Sequence, residues 1–168
     1  MPKLSLKYLI LSTVLLGCAN FKNVAEFRNY SEGSSLIDKR NFRISQNKSS
    51  EIKALMTEMG RRCFDVKTRT ESMGKYGMTY FSAQYHAHVT EDDNKVSLVV
   101  QRLCTAQCGG NTNANTNGEW LMLADVKKTT HDHEGIIYSL KGHFGMGTMV
   151  EDTVAWLTTR YKKCPKLK

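Results

Sequence analysis

Residues 78–103 read MTYFSAQYHAHVTEDDNKVSLVVQRL, and their pattern decides the fold. Phe81, Ala83, Tyr85, Ala87 and Val89 alternate with Tyr80, Ser82, Gln84, His86 and His88, so one set of side chains can meet a core while the other meets water. Glu91, Asp92, Asp93 and Asn94 supply turn chemistry, and 95–103 returns as a run rich in Val and Leu. Two such runs across a short polar turn predict an antiparallel hairpin.

Working outward, 104–117 reads as a long polar loop, with two glycines and a run of Asn and Thr. The stretch 119–127 resumes as a strand in which Trp120, Met122, Ala124 and Val126 should face one way, and after a charged turn over 129–135 a further strand covers 136–143. Upstream, Phe42 and Ile44 alternating with Arg43 and Ser45 predict a first strand over 35–45. Between these lie helical spacings. Ile52, Leu55, Met56, Met59 and Cys63 mark one face of a helix over 50–62, with a serine hydroxyl at Ser49 or Ser50 available as a cap. Methionines at this spacing fill core rather than hold a cofactor. Val150, Val154, Leu157, Tyr161 and Cys164 mark a second helix over 149–163, opened by a capping box of Thr148 and Glu151 and ended by Pro165. The order is strand, helix, four strands, helix. The expected fold class is α+β: an antiparallel sheet of about four to five strands with two amphipathic helices packed on one face, forming a single domain over 36–168.

Composition agrees with one globular domain. The chain has 168 residues, 40% hydrophobic and 24% charged, with two prolines, which excludes collagen, coiled coil, extended disorder and a multi-span membrane protein. No period of solenoid or propeller length repeats.

The first residues have a different character. Lys3 and Lys7 precede an apolar run over 8–16, followed at once by Gly17 and Cys18, the layout of a secretory signal over 1–17. Nine helical residues at about 1.5 Å each cover under half of a roughly 30 Å hydrocarbon core, so the run is too short to anchor by spanning. The string Leu15-Leu16-Gly17-Cys18 resembles the lipobox of bacterial lipoproteins. The resemblance covers only the first twenty residues. It implies cleavage after Gly17 and acylation of Cys18; the mixed stretch that follows, with no sustained period, reads as a tether or loosely packed arm, giving a lipidated N-terminus and tether over 18–35. By the same likeness, Ala19 in place of Asp implies transfer to the outer membrane, facing the periplasm. The alternative is an ordinary signal peptide with Cys18 left unmodified.

Removing the signal leaves 22 basic residues against 16 acidic ones, a formal +6. The functional reading of that charge is attraction to anionic lipid head groups or surface polysaccharide, supported by the cluster Arg160, Lys162, Lys163, Lys166 and Lys168; the expected partners are membrane lipid through acylated Cys18 and an envelope protein or polysaccharide. The plainer reading of the cluster is a solvated helix end that meets the macrodipole. No nucleic-acid recognition motif is present, and an exported protein would not meet nucleic acid.

With Cys18 assigned to lipid, Cys63, Cys104, Cys108 and Cys164 remain, an even number that suits an oxidising compartment and allows three pairings. The favoured pairing joins Cys63 to Cys164, each at the end of an apolar helical stripe, leaving Cys104 with Cys108. A single Cys-x-x-x-Cys is a weak zinc signal. His86 and His88 share a strand face about 7 Å apart and can aim at one cation, with His131, Asp132, His133 or His143 as further ligands. The plainer reading is a polar sheet face.

No Gly-x-Ser-x-Gly elbow, His-Glu-x-x-His, phosphate loop or EF-hand spacing occurs. Strings typical of cell-wall peptidases and transpeptidases are also missing, since Cys63 stands in Arg61-Arg62-Cys63-Phe64. The expected function is therefore a non-enzymatic, cofactor-free, membrane-anchored binding or accessory domain of the cell envelope. The alternatives are a periplasmic metal-binding protein using His86 and His88, or an envelope inhibitor or immunity protein acting through the Asn-rich loop.

Overall fold

The computed structural model describes residues 21–45, 51–74, 77–105, 119–129, 132–141, 146–159 and 163–165. In chain order these form α1 (Val24–Gly33), β1 (Ile37–Ser45), α2 (Ile52–Met59), a π-helical turn (Gly60–Phe64), β2 (Lys67–Gly74), β3 (Gly77–Glu91), β4 (Lys95–Thr105), β5 (Glu119–Lys127), β6 (Asp132–Leu140) and α3 (Met146–Thr159). The fold is α+β. Six strands, rather than four to five, make one antiparallel sheet in the order β1-β6-β5-β4-β3-β2.

The sheet has a core on each side. Val96, Leu98 and Val100 of β4 join Ile52, Met56 and Met59 of α2 and Met149, Trp156 and Leu157 of α3 in the larger one. Val99, between them in sequence, points the other way into a smaller core with Phe27 of α1 and with Trp120, Leu123 and Tyr138. A strand with both faces covered reads as a continuous apolar run, which accounts for Leu98-Val99-Val100.

The expectation of two helices on one face is thus corrected, because α1 is a third helix on the opposite side. So is the expectation of a tether over 18–35. Asn23 caps α1 by accepting a hydrogen bond from the Glu26 N–H at 2.9 Å, and the Glu26 carboxylate reaches back to the Lys22 N–H at 2.9 Å, a close variant of the capping box. Phe27 is wholly buried, with Phe21 edge-on at 5.1 Å between ring centroids and Trp120 at 5.6 Å. The Trp120 indole N–H donates to the Phe21 carbonyl at 2.9 Å. The folded body therefore includes Phe21.

Two local irregularities set the packing. Val100 pairs with Met122 and Gln101 with Trp120, so Leu121 has no partner on β4. This β-bulge lets Leu121 and Met122 both enter the larger core and turns Trp120 to the other face. The expected common face for Trp120 and Met122 is corrected by that extra residue. At the end of α2, the Asp65 N–H donates to the Gly60 carbonyl at 2.8 Å, closing a wider π turn that buries adjacent Cys63 and Phe64. A β-carbon on Gly60 would meet Ala87 Cβ at 3.1 Å, so glycine allows the turn to sit close on β3.

α3 begins at Met146, which places Thr148 and Glu151 inside its first turns rather than at its N-cap. The expected capping box is corrected accordingly. For α2, Glu51 holds the N-cap position, and Ser49 and Ser50 lie outside the described residues. No helix among the described residues is long and apolar enough to cross a membrane.

Candidate functional site

α1 lies over β5, and no helix among the described residues covers the β3 end of that sheet face. His86 pairs across the ladder with Gln101 and His88 with Val99, so both histidines project on the α1 side. The His86 ring is 42% exposed, its Nδ1 3.2 Å from Asp65 Oδ1 and its Nε2 3.0 Å from Gln84 Nε2. His88 is exposed beside it. Partial loss of solvent, and then the neighbouring His86, hold the His88 pKa below its usual value. The arrangement is a polar strand face able to donate and accept hydrogen bonds and to gain charge in mild acid.

It does not gather the other proposed ligands. His133 is buried on β6, three strand positions from β3, and its Nδ1 accepts from the Thr129 N–H at 3.1 Å. Its ladder partner Ile44 belongs to the larger core, so it faces away from His86 and His88. Asp132 begins β6, while His131 and His143 lie outside the described residues. Among the described residues no group of three or more His, Cys, Asp or Glu side chains is placed to hold a metal ion.

The cysteines divide in the same way. Cys63 in the π turn is joined to Cys164 by an S–S bond of 2.01 Å, with α-carbons 5.1 Å apart. Cys164 sits in the coil beyond α3, drawn back over the helix where the Trp156 indole N–H donates to the Lys163 carbonyl at 2.8 Å. Cys104 is on β4, and Cys108 and Cys18 lie outside the described residues.

Sequence reasoning missed the charged contact that holds α1 down. Arg28 donates from Nε to Asp125 Oδ2 at 2.6 Å and from Nη2 to Oδ1 at 3.0 Å, while Ser97 Oγ donates to the same Oδ1 at 2.6 Å. The Asp125 hydrogen bond raises the Arg28 pKa, against the opposing effect of burial. The available signal was Asp125 itself, one carboxylate within the apolar string Leu121-Met122-Leu123-Ala124-Asp125-Val126, since a buried charge requires a partner. At the far end of the sheet Glu91 bridges Lys53 at 2.9 Å and Lys128 at 2.6 Å, which lowers its pKa. Arg102 pairs with Glu119 across β4 and β5.

Compared with protein-family models, curated proteins and solved structures, the chain finds no match.

Proposed function

We propose that this chain is a bacterial lipoprotein whose body is held at the cell envelope by acylated Cys18 and binds another envelope component rather than catalysing a reaction. The observation that carries the reading is the string Leu15-Leu16-Gly17-Cys18 standing immediately before a folded body that includes Phe21. A removable leader, a lipid-bearing cysteine and a globular domain then follow one another without overlap. The Cys63–Cys164 bond suits an oxidising compartment such as the periplasm.

Binding is favoured over catalysis because Asp125, a buried carboxylate of the sheet, is held in an ion pair, as are Glu91 and Arg102 nearer its surface. Arg28 is committed to Asp125, Glu91 to two lysines, and Arg102 to Glu119. The open strand face of Gln84, His86 and His88 is the contact surface we assign to an envelope protein or polysaccharide. Outer-membrane placement follows from Ala19 and is part of the same proposal.

Intact-mass analysis of protein extracted from the membrane tests the anchor. The expected mass is that of the chain from Cys18 carrying about three acyl chains and shortened by its leader, and Cys18→Ala should move the protein to the soluble fraction. An unacylated, full-length chain with reduced thiols in the cytosol would refute it. Capture from envelope extract tests binding: a partner recovered by wild type and lost with His86→Ala plus His88→Ala is expected, whereas equal recovery by both would remove that face from the proposal.

A further inference from the structure

Building on the acylation of Cys18, we infer that the body is docked on the membrane surface by one particular end of the sheet, the end that carries Phe21, Leu36 and Lys141. Phe21 is three residues after Cys18, and each residue of extended chain spans at most about 3.6 Å, so its α-carbon stays within about 11 Å of the acylated residue. Phe21 is itself fixed to the sheet through the Trp120 indole. A globular body on so short a leash cannot stand clear of the head groups.

The register identifies which end comes down. Met122 pairs with Ser139 and Ile37 with Leu140, so the start of β5, the end of β6 and the start of β1 lie together. The Lys141 N–H donates to the Leu36 carbonyl at 2.9 Å, tying the two chain segments at this edge. Leu36 is 47% exposed, a large apolar side chain left in solvent at this edge. It stands where an interfacial lipid layer would cover it. Lys22 and Lys141 are exposed at the same end, and Lys141 lies 3.7 Å from the exposed Asp38 carboxylate, a loose pair that can exchange for a lipid phosphate. The turn over Asp92, Asp93 and Asn94 lies at the other end of the sheet, about 20 Å away for strands of this length. Its two aspartates stand beside Lys95, Lys127 and Lys128, so the short leash, and not charge, selects the end that carries Leu36.

The test uses the full acylated protein in vesicles of phosphatidylethanolamine and phosphatidylglycerol, with a photo-crosslinking amino acid replacing either Leu36 or Asp93. Lipid adducts at position 36 should exceed those at 93 several-fold, and a flexible Gly-Ser insertion between Ala19 and Asn20 should reduce the excess. Equal adducts at both positions, or crosslinks from 36 to a second copy of the chain in place of lipid, overturn the orientation. The intact mass of the same sample separates the two ideas. Acyl chains present without the excess at 36 refute the docking alone, and acyl chains missing refute the anchor and the docking together.

Discussion

The ring of Phe42 occupies the space that a β-carbon on Gly135 would need, the two residues being direct partners across the β1–β6 ladder. Glycine in a strand leaves a gap on the sheet surface, and here an aromatic side chain from the neighbouring strand fills it. Gly135→Ala should force the ring aside and destabilise the protein by about 1–3 kcal/mol, the usual range for overpacking. Phe42→Ala removes the obstacle, so the double variant should lose less than the two single losses combined. Urea denaturation of the four proteins measures this, and strict additivity would show that the ring and the glycine do not interact.

Arg28 and Asp125 form the tie between α1 and the sheet, with Ser97 completing the carboxylate's hydrogen bonds. Breaking a buried pair from one side leaves an uncompensated charge. Asp125→Ala should cost about 3 kcal/mol, the lower end of the usual range of about 3–5, because the Arg28 side chain keeps 21% exposure. Replacing both groups by apolar ones, Arg28→Met with Asp125→Leu, should cost less than Asp125→Ala alone. Chemical denaturation reads the stabilities, and proteolysis near Gly33 reports whether α1 has lifted.

How much of this was legible depended on whether the deciding interaction was local. The 78–103 hairpin could be read because a period of two and a polar turn are properties of adjacent residues. β2, with the sequence Lys67-Thr68-Arg69-Thr70-Glu71-Ser72-Met73-Gly74, has no apolar alternation, and its strand character rests on pairing with β3. α1 carried a local signature in Asn23 and Glu26, but Phe27 is buried by a second face of the sheet that no short window reveals. The bulge at Leu121 was hidden for the same reason, since nothing in the strand's own sequence says which residue its neighbour will skip. For the candidate site, the shared face of His86 and His88 followed from alternation. Its neighbours Asp65 and Gln101 came from the chain path and the register.

Proton uptake by His88 gives a pH dependence whose sign follows from its lowered pKa. Below about 6.5 the unfolded chain binds a proton at this histidine before the folded protein does. Stability therefore rises with pH between the lowered folded value and the unfolded one, and it is lost as pH falls through that interval. His88→Gln should flatten this part of the stability profile. Ring-proton NMR titration should place His88 below 6.5, and His86→Gln should move it upward by removing a neighbouring positive charge. A His88 midpoint above 6.5, or one unaffected by His86→Gln, would contradict the assignment.

The Cys63–Cys164 bond closes a separation of 101 residues, so it restricts most of the chain in the unfolded state. For a loop of about 100 residues the chain-entropy contribution is about 4.7 kcal/mol, and removing a native disulfide from a small secreted domain costs about 2–5 kcal/mol. Replacing both cysteines with alanine should lower unfolding free energy by an amount in that range, with little change in the native sheet because the bond lies on the helix side. A ring closed between Cys104 and Cys108 would be worth only about 2 kcal/mol in the same account. Cys104→Ser with Cys108→Ser should therefore cost distinctly less than the first pair. Thermal unfolding with and without reductant distinguishes the contributions: reductant should bring wild type close to the Cys63→Ala, Cys164→Ala variant, leaving only the smaller difference due to any short ring. If wild type and that variant unfold together in the absence of reductant, the long bridge does not contribute to stability.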